Sequence, residues 1–432
     1  MTMLDSRPDD SPARTVSTWV LGEPRLLAGL PEHDRVGFTA HRRLHGDVPR
    51  LDRKEYEHRC ETVDLRGRGG AAFPVAAKLR SLPRRGAPVV VVNGSESEPA
   101  SFKDRTLMRR VPHVVLDGAL GIASAVRARK VVVAVHDPVS AESLRWAVAE
   151  RSDSGRVEIR ETAGSFVAGE ARAVVRSLEG GPAVPPGRRT PPTVSGIHGG
   201  PTFVSNAETY AQLAVLADRG VHAYSASGLA AEPGTLLLTL GGAVSNPGVA
   251  EIPQGTPLSV LLRLAGAGSR AGLLLGGYHG TWWDGGDVAI ARGALAAHGA
   301  TLGAGVVLVL DERTCPLGEL YRVTSWLAAQ SARQCGPCMF GLPALADDLG
   351  RLAVGDMSGW AALERHLAVV PGRGACAHPD GAVRFVVSGL RAFWSDVETH
   401  RDHRHCVRPV LGELPLDDGW VVGRGLESRR PQ

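Results

Sequence analysis

Aromatic side chains are scarce in this chain: Phe, Trp and Tyr together make up 5% of its 432 residues. So few rings argue against the stacking platforms that hold single-stranded nucleic acid. A strong charge of either sign is also missing. The formal net charge is +4, from 49 Lys and Arg against 45 Asp and Glu. The Arg-rich runs at 42–43, 83–85 and 187–189 are short and read as solvated loops, so no nucleic-acid partner is expected. No apolar run approaches the ~20 residues of a membrane-spanning helix. The opening MTMLDSRPDDSPART is polar and acidic, unlike a signal peptide. The expected location is therefore the cytosol, or the periphery of a membrane through a partner. Cysteines number six: Cys60, Cys315, Cys335, Cys338, Cys376 and Cys406. In a reducing compartment they point to metal or redox chemistry more than to a disulfide framework.

The chain is long enough for several domains. Residues 1–50 are weakly periodic and read as a partly ordered lead-in. From 51 to 230, strands and helices alternate. APVVVVNGS and RKVVVAVHD are β-branched runs bounded by turn residues, and PHVVLDGALGIASAVRA between them has helical periodicity. This βαβ pattern predicts an α/β domain with a mainly parallel sheet. A long Gly/Pro-rich connection covers 180–202. Residues 231–312 read as a small α/β module of short strands and one helix. From 313 to 410 the pattern is helical, a bundle of about four helices, and 411–432 is a tail.

LRGRGGAAFPVAAKLR sets Gly67, Gly69 and Gly70 ahead of a helix-like stretch. Glycines there let backbone N–H groups approach an anion, which the helix N-terminus also favours, and Lys78 supplies a counter-charge. The spacing fits neither the dinucleotide fingerprint nor the P-loop. VVNGSESEPASFKDR then places Glu96 and Glu98 at the carboxyl end of a strand, where open α/β sheets bind ligands. Together these elements predict a nucleotide-like ligand.

RGRGGAAFP, NGSESEPASFKDR, SFVAGEARAVVRSLEG, GGPTFVSNAETYAQL, QSARQCGPCMFGLP and CAHPDGAVRF occur in one order over about residues 60 to 400. In this the chain resembles the flavin-carrying, NADH-oxidising subunit of respiratory complex I and its relatives in NAD-linked hydrogenases and formate dehydrogenases. The resemblance implies an FMN-binding α/β domain, a small ubiquitin-like domain of the SLBB type, and a helical bundle holding an iron–sulfur cluster. It implies that Gly67, Arg68, Gly69, Gly70 and Lys78 wrap the FMN, and that Asn93, Ser95, Glu96, Ser205 and Asn206 lie at the flavin. Phe166, Gly169 and Glu170 are implied beside it. Phe73 is implied to stack on the nicotinamide nucleotide, and Glu98 to orient its ribose.

The implied activity is an NADH dehydrogenase of the diaphorase type. Electrons pass from NAD(P)H through FMN and the cluster to a ferredoxin-like or quinone-linked partner, with no side chain acting as acid or base. Some positions depart from the pattern. Ser95 stands for an aspartate, Ala171 for the second glutamate of GEE, Phe166 for a tyrosine and His198 for an adenine-stacking aromatic. Flavin binding is thus better preserved than nucleotide binding, and an electron-relay or docking subunit that has lost NADH oxidation is the alternative.

C-x-x-C in the form CGPC also suits a thioredoxin-type dithiol, but here a long helix precedes it where that fold has a strand. By the resemblance, Cys335, Cys338 and Cys376 match three ligands of a [4Fe–4S] cluster and Ala332 replaces the first. A [3Fe–4S] cluster, a non-cysteine fourth ligand or an empty site follow as alternatives. Cys315 lies a full helix away, Cys60 reads as a packed thiol, and His378, two residues from Cys376, reads as a candidate ligand of the site or a donor supporting one. His400, His403 and His405 read as exposed histidines at a helix end.

Overall fold

The computed structural model describes residues 17–416, apart from 31, 188, 189, 404 and 405 and the side chain of 403. Strands Val89–Gly94, Lys130–Val135, Val157–Glu161 and Thr202–Asn206 form a parallel sheet. Its spatial order runs 157–161, 130–135, 89–94, 202–206. The unbroken valine run of strand 89–94 is explained by burial on both faces. Val90 and Val92 pack with the helices Pro112–Ala125 and Ala207–Ser225. Val89 and Val91 pack instead with Val174, Val175 and Ile197 on the other side. Helices 112–125 and 207–225 touch closely because residue 118 is glycine. A Cβ there would lie 1.9 Å from the Tyr210 carbonyl oxygen. The chain crosses from one side of strand 89–94 to the other before entering strand 202–206, which makes the gap between these two strands the switch point of the sheet.

A second, mixed sheet has six strands in the order 17–20, 248–253, 235–242, 306–311, 270–275, 281–283. Its outermost strand, Ser17–Val20, comes from the lead-in and pairs parallel with Gly248–Pro253. The following turn is held by Glu251, whose buried carboxylate accepts the N–H groups of Arg25, Leu26 and Leu27 and the Thr235 hydroxyl. Leu273, Leu275, Val307 and Val309 face helix Leu258–Ala265. Leu274, Val306, Leu308 and Leu310 face the helical region, among Leu320, Val323 and Phe385.

That region contains five α-helices among the described residues, Pro316–Ala329, Leu342–Ala353, Trp360–Val369, His378–Ala392 and Trp394–His403. A π-turn, Pro337–Gly341, leads into the second. Against its reading as an exposed histidine, His400 is fully buried; the His403 side chain and His405 lie outside the described residues. Cys60 is a packed thiol, and burial pushes it up to about 12. No helix among the described residues is long and apolar enough to cross a membrane.

Candidate functional site

Asn93, one residue before the end of strand 89–94, and Asn206, the last residue of strand 202–206, are register partners. Beyond them, at the switch point, opens a cavity of about 110 Å³ lined by Arg68, Gly69, Asn93, Ser95, Glu96, Glu98, Gly169 and Asn206 among others. The glycine-rich segment reaches it as a looped-out turn closed by the pairing of Arg66 with Pro74. Gly70 has φ +94 within this turn, a conformation that glycine adopts without strain. Gly67 and Gly70 line an adjoining, more apolar cavity of about 270 Å³ between the two sheets, and Phe73 on the same turn is 50% exposed.

Asn206 caps the helix Ala207–Ser225 without a side-chain bond to its N–H groups. Its amide donates to Asp104 at 2.8 Å instead. Lys78, on helix Val75–Arg80, donates to the Val204 carbonyl at 2.9 Å and the Ser205 hydroxyl at 3.2 Å, beside that same helix start. No carboxylate among the described residues pairs with Lys78, and burial alone pushes its ammonium down to about 8.

The two glutamates do different work. Glu96 accepts from the Ser101 hydroxyl and from the N–H groups of Asp104 and Arg105, which fastens the start of helix Lys103–Arg110. Glu98 reaches across to the second sheet, where the Tyr278 N–H donates to it at 2.8 Å. Burial outweighs that bond and pushes Glu98 up to about 7. Both line the cavity, yet most of their acceptor capacity is taken up inside the chain. Sequence reasoning missed Lys103 and Glu208. Lys103 Nζ meets Glu208 at 2.6 Å and the Arg68 carbonyl at 3.1 Å, a buried pair with 4% and 1% side-chain exposure. The signal was present in FKDR, where Lys103 is the first of three adjacent charged residues, and in SNAET, where Glu208 is the single charge among small residues.

The wall at Gly169 leads to the cysteines. Asn93 donates to the Gly169 carbonyl, Ser97 to the Phe166 carbonyl, and the Phe166 N–H to Gln330. The Phe166 ring sits among His279, Trp326 and His378. Glu170 caps helix Ala171–Leu178 and pairs with Arg172. Glu170, Ala171 and Arg172 then share a cleft with Cys376. Gly169 therefore lines the switch-point cavity, and the next three residues, 170–172, line the cleft of Cys376.

Cys335, Cys338 and Cys376 lie near enough for a charge on Cys335 to raise the other two. Against the effect of burial, the backbone of Ala375 lowers Cys335, that of Ala332 lowers Cys338 and that of His378 lowers Cys376. N–H donors around thiolates suit an iron–sulfur cluster, whose potential such bonds tune. Ala332 lies against Cys338 but carries no sulfur. No strand feeds the CGPC turn; helix 316–329 precedes it and helix 342–353 follows. His198, read as the replaced adenine-stacking position, has a 75% exposed side chain with Nδ1 3.8 Å from Glu179.

Two family models match this chain: the Nuo51 FMN-binding domain over residues 60–215 and the NADH-ubiquinone oxidoreductase-F iron-sulfur binding region over 319–400. The second F subunit of NADH-quinone oxidoreductase from Rhizobium meliloti (strain 1021) is 30% identical over 369 residues, 79% of this chain and 88% of the relative. The corresponding F subunit from Mycobacterium tuberculosis (strain ATCC 25618 / H37Rv) is 31% identical, covering 84% of this chain and 87% of the relative. Among solved structures, an NAD+-reducing [NiFe]-hydrogenase in the H2-reduced state superposes with a TM-score of 0.77 at 26% identity, over 93% of this chain and 70% of that one. With the switch-point cavity and the Cys376 cleft meeting at Gly169 and Glu170, and with both motif sets matched in order, the chain belongs to the family of NADH-quinone oxidoreductase F subunits.

Proposed function

We propose that this chain is an FMN-dependent NADH dehydrogenase subunit that passes electrons through an iron–sulfur cluster to a protein partner. The observation that carries the proposal is the shared wall. Gly169 lines the cavity at the sheet switch point and its neighbours 170–172 line the cleft of Cys376, so a flavin in the first lies next to a cluster in the second.

The residues present fit both groups. Lys78, the start of helix 207–225 and the Gly67–Gly70 turn form an anion cradle for the flavin phosphate, supported by a lysine that has no carboxylate of its own. Arg68, Asn93, Ser95, Ser205 and Asn206 supply polar contacts at the flavin. Glu96 holds the helix that carries Lys103, and Phe73 offers an exposed ring for a nicotinamide nucleotide. Glu98 braces the loop against Tyr278 and faces the nucleotide side. Phe166, Gly169 and Glu170 form the partition toward Cys335, Cys338 and Cys376. Bound FMN supplies the exchange between two-electron hydride chemistry and single-electron transfer. The protein's part is to hold the phosphate, exclude water with the second sheet, and keep the cluster thiolates oriented by N–H donors.

The chain divides into a lead-in over 1–50, the FMN- and NADH-binding domain over 51–230, an SLBB-type module over 231–312, the cluster-binding bundle over 313–410 and a tail over 411–432. The partner that receives the electrons is a ferredoxin-like or other electron-transfer protein. The test is an anaerobic visible spectrum before and after NADH, with released flavin and bound iron measured on the same sample. Stoichiometric FMN that bleaches with NADH is expected. Flavin that stays oxidised contradicts NADH oxidation and supports a relay role, the reading favoured by Ser95, Ala171 and Ala332.

A further inference from the structure

We propose that Cys315, His400 and Cys406 form a second metal site, separate from the cysteine cleft, for a divalent cation of zinc's class. Their ligand atoms all lie within 4.8 Å of one another, and Cys315 and His400 are buried. Cys315 Sγ stands 3.5 Å from His400 Nε2. A tetrahedral zinc with Zn–S of about 2.3 Å and Zn–N of about 2.05 Å sets its sulfur and nitrogen ligands about 3.6 Å apart. The observed spacing therefore already matches one edge of that tetrahedron.

The tautomer is right as well. His400 Nδ1 is 2.7 Å from the Asp396 carbonyl oxygen. That oxygen only accepts, so Nδ1 carries the proton and the Nε2 lone pair faces the thiols, as in metal-bound histidines braced by a carbonyl. Both sulfurs receive backbone N–H bonds, from Gly318 to Cys315 and from Arg408 to Cys406, each at 3.4 Å. Two thiolates and an imidazole are a donor set that zinc prefers over magnesium or calcium.

Cys315 opens helix 316–329, whose far end leads to Cys335. Its 14 residues span about 21 Å, so the two sites do not share a metal. Binding here fixes the segment after Cys406. That segment runs back over the helix start: Pro409 accepts from Cys315 N, Gly412 N donates to Glu319, and the Pro415 carbonyl accepts the Tyr278 hydroxyl. Tyr278 is the residue whose N–H holds Glu98.

The experiment measures zinc, iron and flavin in the purified full chain and in Cys315→Ser, Cys406→Ser and Cys335→Ser. Stoichiometric zinc is expected in the unaltered chain and in Cys335→Ser, lost in the Cys315 and Cys406 variants while flavin stays. Zinc equal in all four proteins, or absent from the unaltered chain, overturns the proposal. Should either variant fail to fold, alkylation of the unaltered chain decides. Cys406 is expected to react only after a zinc chelator is added. Reaction at the same rate without chelator, or a Cys315–Cys406 disulfide found by mass spectrometry, overturns it.

Discussion

Replacing Lys78 with Gln tests the anion cradle by removing one charge and little volume. In the flavin-free chain Lys78 has neutral oxygen partners only, Val204 O and Ser205 Oγ, and burial lowers it from 10.5 to about 8. A phosphate beside it restores a charge partner. A hydrogen bond between charged groups contributes about 1.5–3 kcal/mol, so Lys78→Gln is expected to weaken FMN binding about 10- to 150-fold. Riboflavin, which lacks the phosphate, is expected to bind both proteins alike. The pH dependence has a definite sign. The free lysine loses its proton near pH 8 and the phosphate-bound lysine loses it higher, so binding takes up a proton in that window. FMN affinity then falls as pH rises above about 8, by at most about tenfold per unit. In the flavin-free chain the depressed pKa has the opposite consequence for folding: the unfolded lysine holds its proton up to about 10.5, so stability falls between about 8 and 10.5 as pH is lowered and rises as it is raised. Fluorescence titration with FMN and riboflavin across this range measures the binding terms. Equal weakening of both flavins by the substitution, or an FMN affinity that is flat with pH, refutes the reasoning.

Glu98 is pushed from 4.5 to about 7 by burial. The fold favours its neutral form, so its contribution to stability is lost as pH rises from about 4.5 to 7, by up to about 3 kcal/mol. Glu98→Gln should flatten that loss in urea denaturation at pH about 5 and about 8; an unchanged pH dependence counts against it. Ala332→Cys places a sulfur beside Cys338 and is expected to raise iron retention in air. Unchanged iron loss means residue 332 does not face the metal. Gly118→Ala drives a Cβ to within 1.9 Å of the Tyr210 carbonyl oxygen. A cost of about 3 kcal/mol is expected by chemical denaturation, and a neutral change contradicts the close helix contact.

Local signals carried the first sheet. The valine run at 89–92 and its flanking turns state a buried strand without reference to the rest of the chain. The glycines at 67, 69 and 70 and the spacing of Cys335 and Cys338 are equally local. What stayed hidden depends on contacts between distant residues. Nothing near Ser17–Val20 shows that it pairs with 248–253, and Glu251, which fastens the adjoining turn, lies more than two hundred residues away. The Lys103–Glu208 pair spans the two motifs but belongs to neither pattern. The run around His400 has the composition of a solvated helix end, and only the packing of the last helix against Cys315 buries that histidine. The acceptor oxygens of Glu96 and Glu98 are likewise assigned by loop geometry, which sequence position alone does not determine.

Passage of electrons from NADH through the flavin to the cysteine cleft is the step on which the proposed function depends. Electron paramagnetic resonance on anaerobic protein, frozen after NADH addition, reads this step. A reduced iron–sulfur signal is expected in flavin-loaded protein, absent after flavin removal and restored by adding FMN. Flavin that bleaches with no iron–sulfur signal, or a signal that persists without flavin, would contradict it.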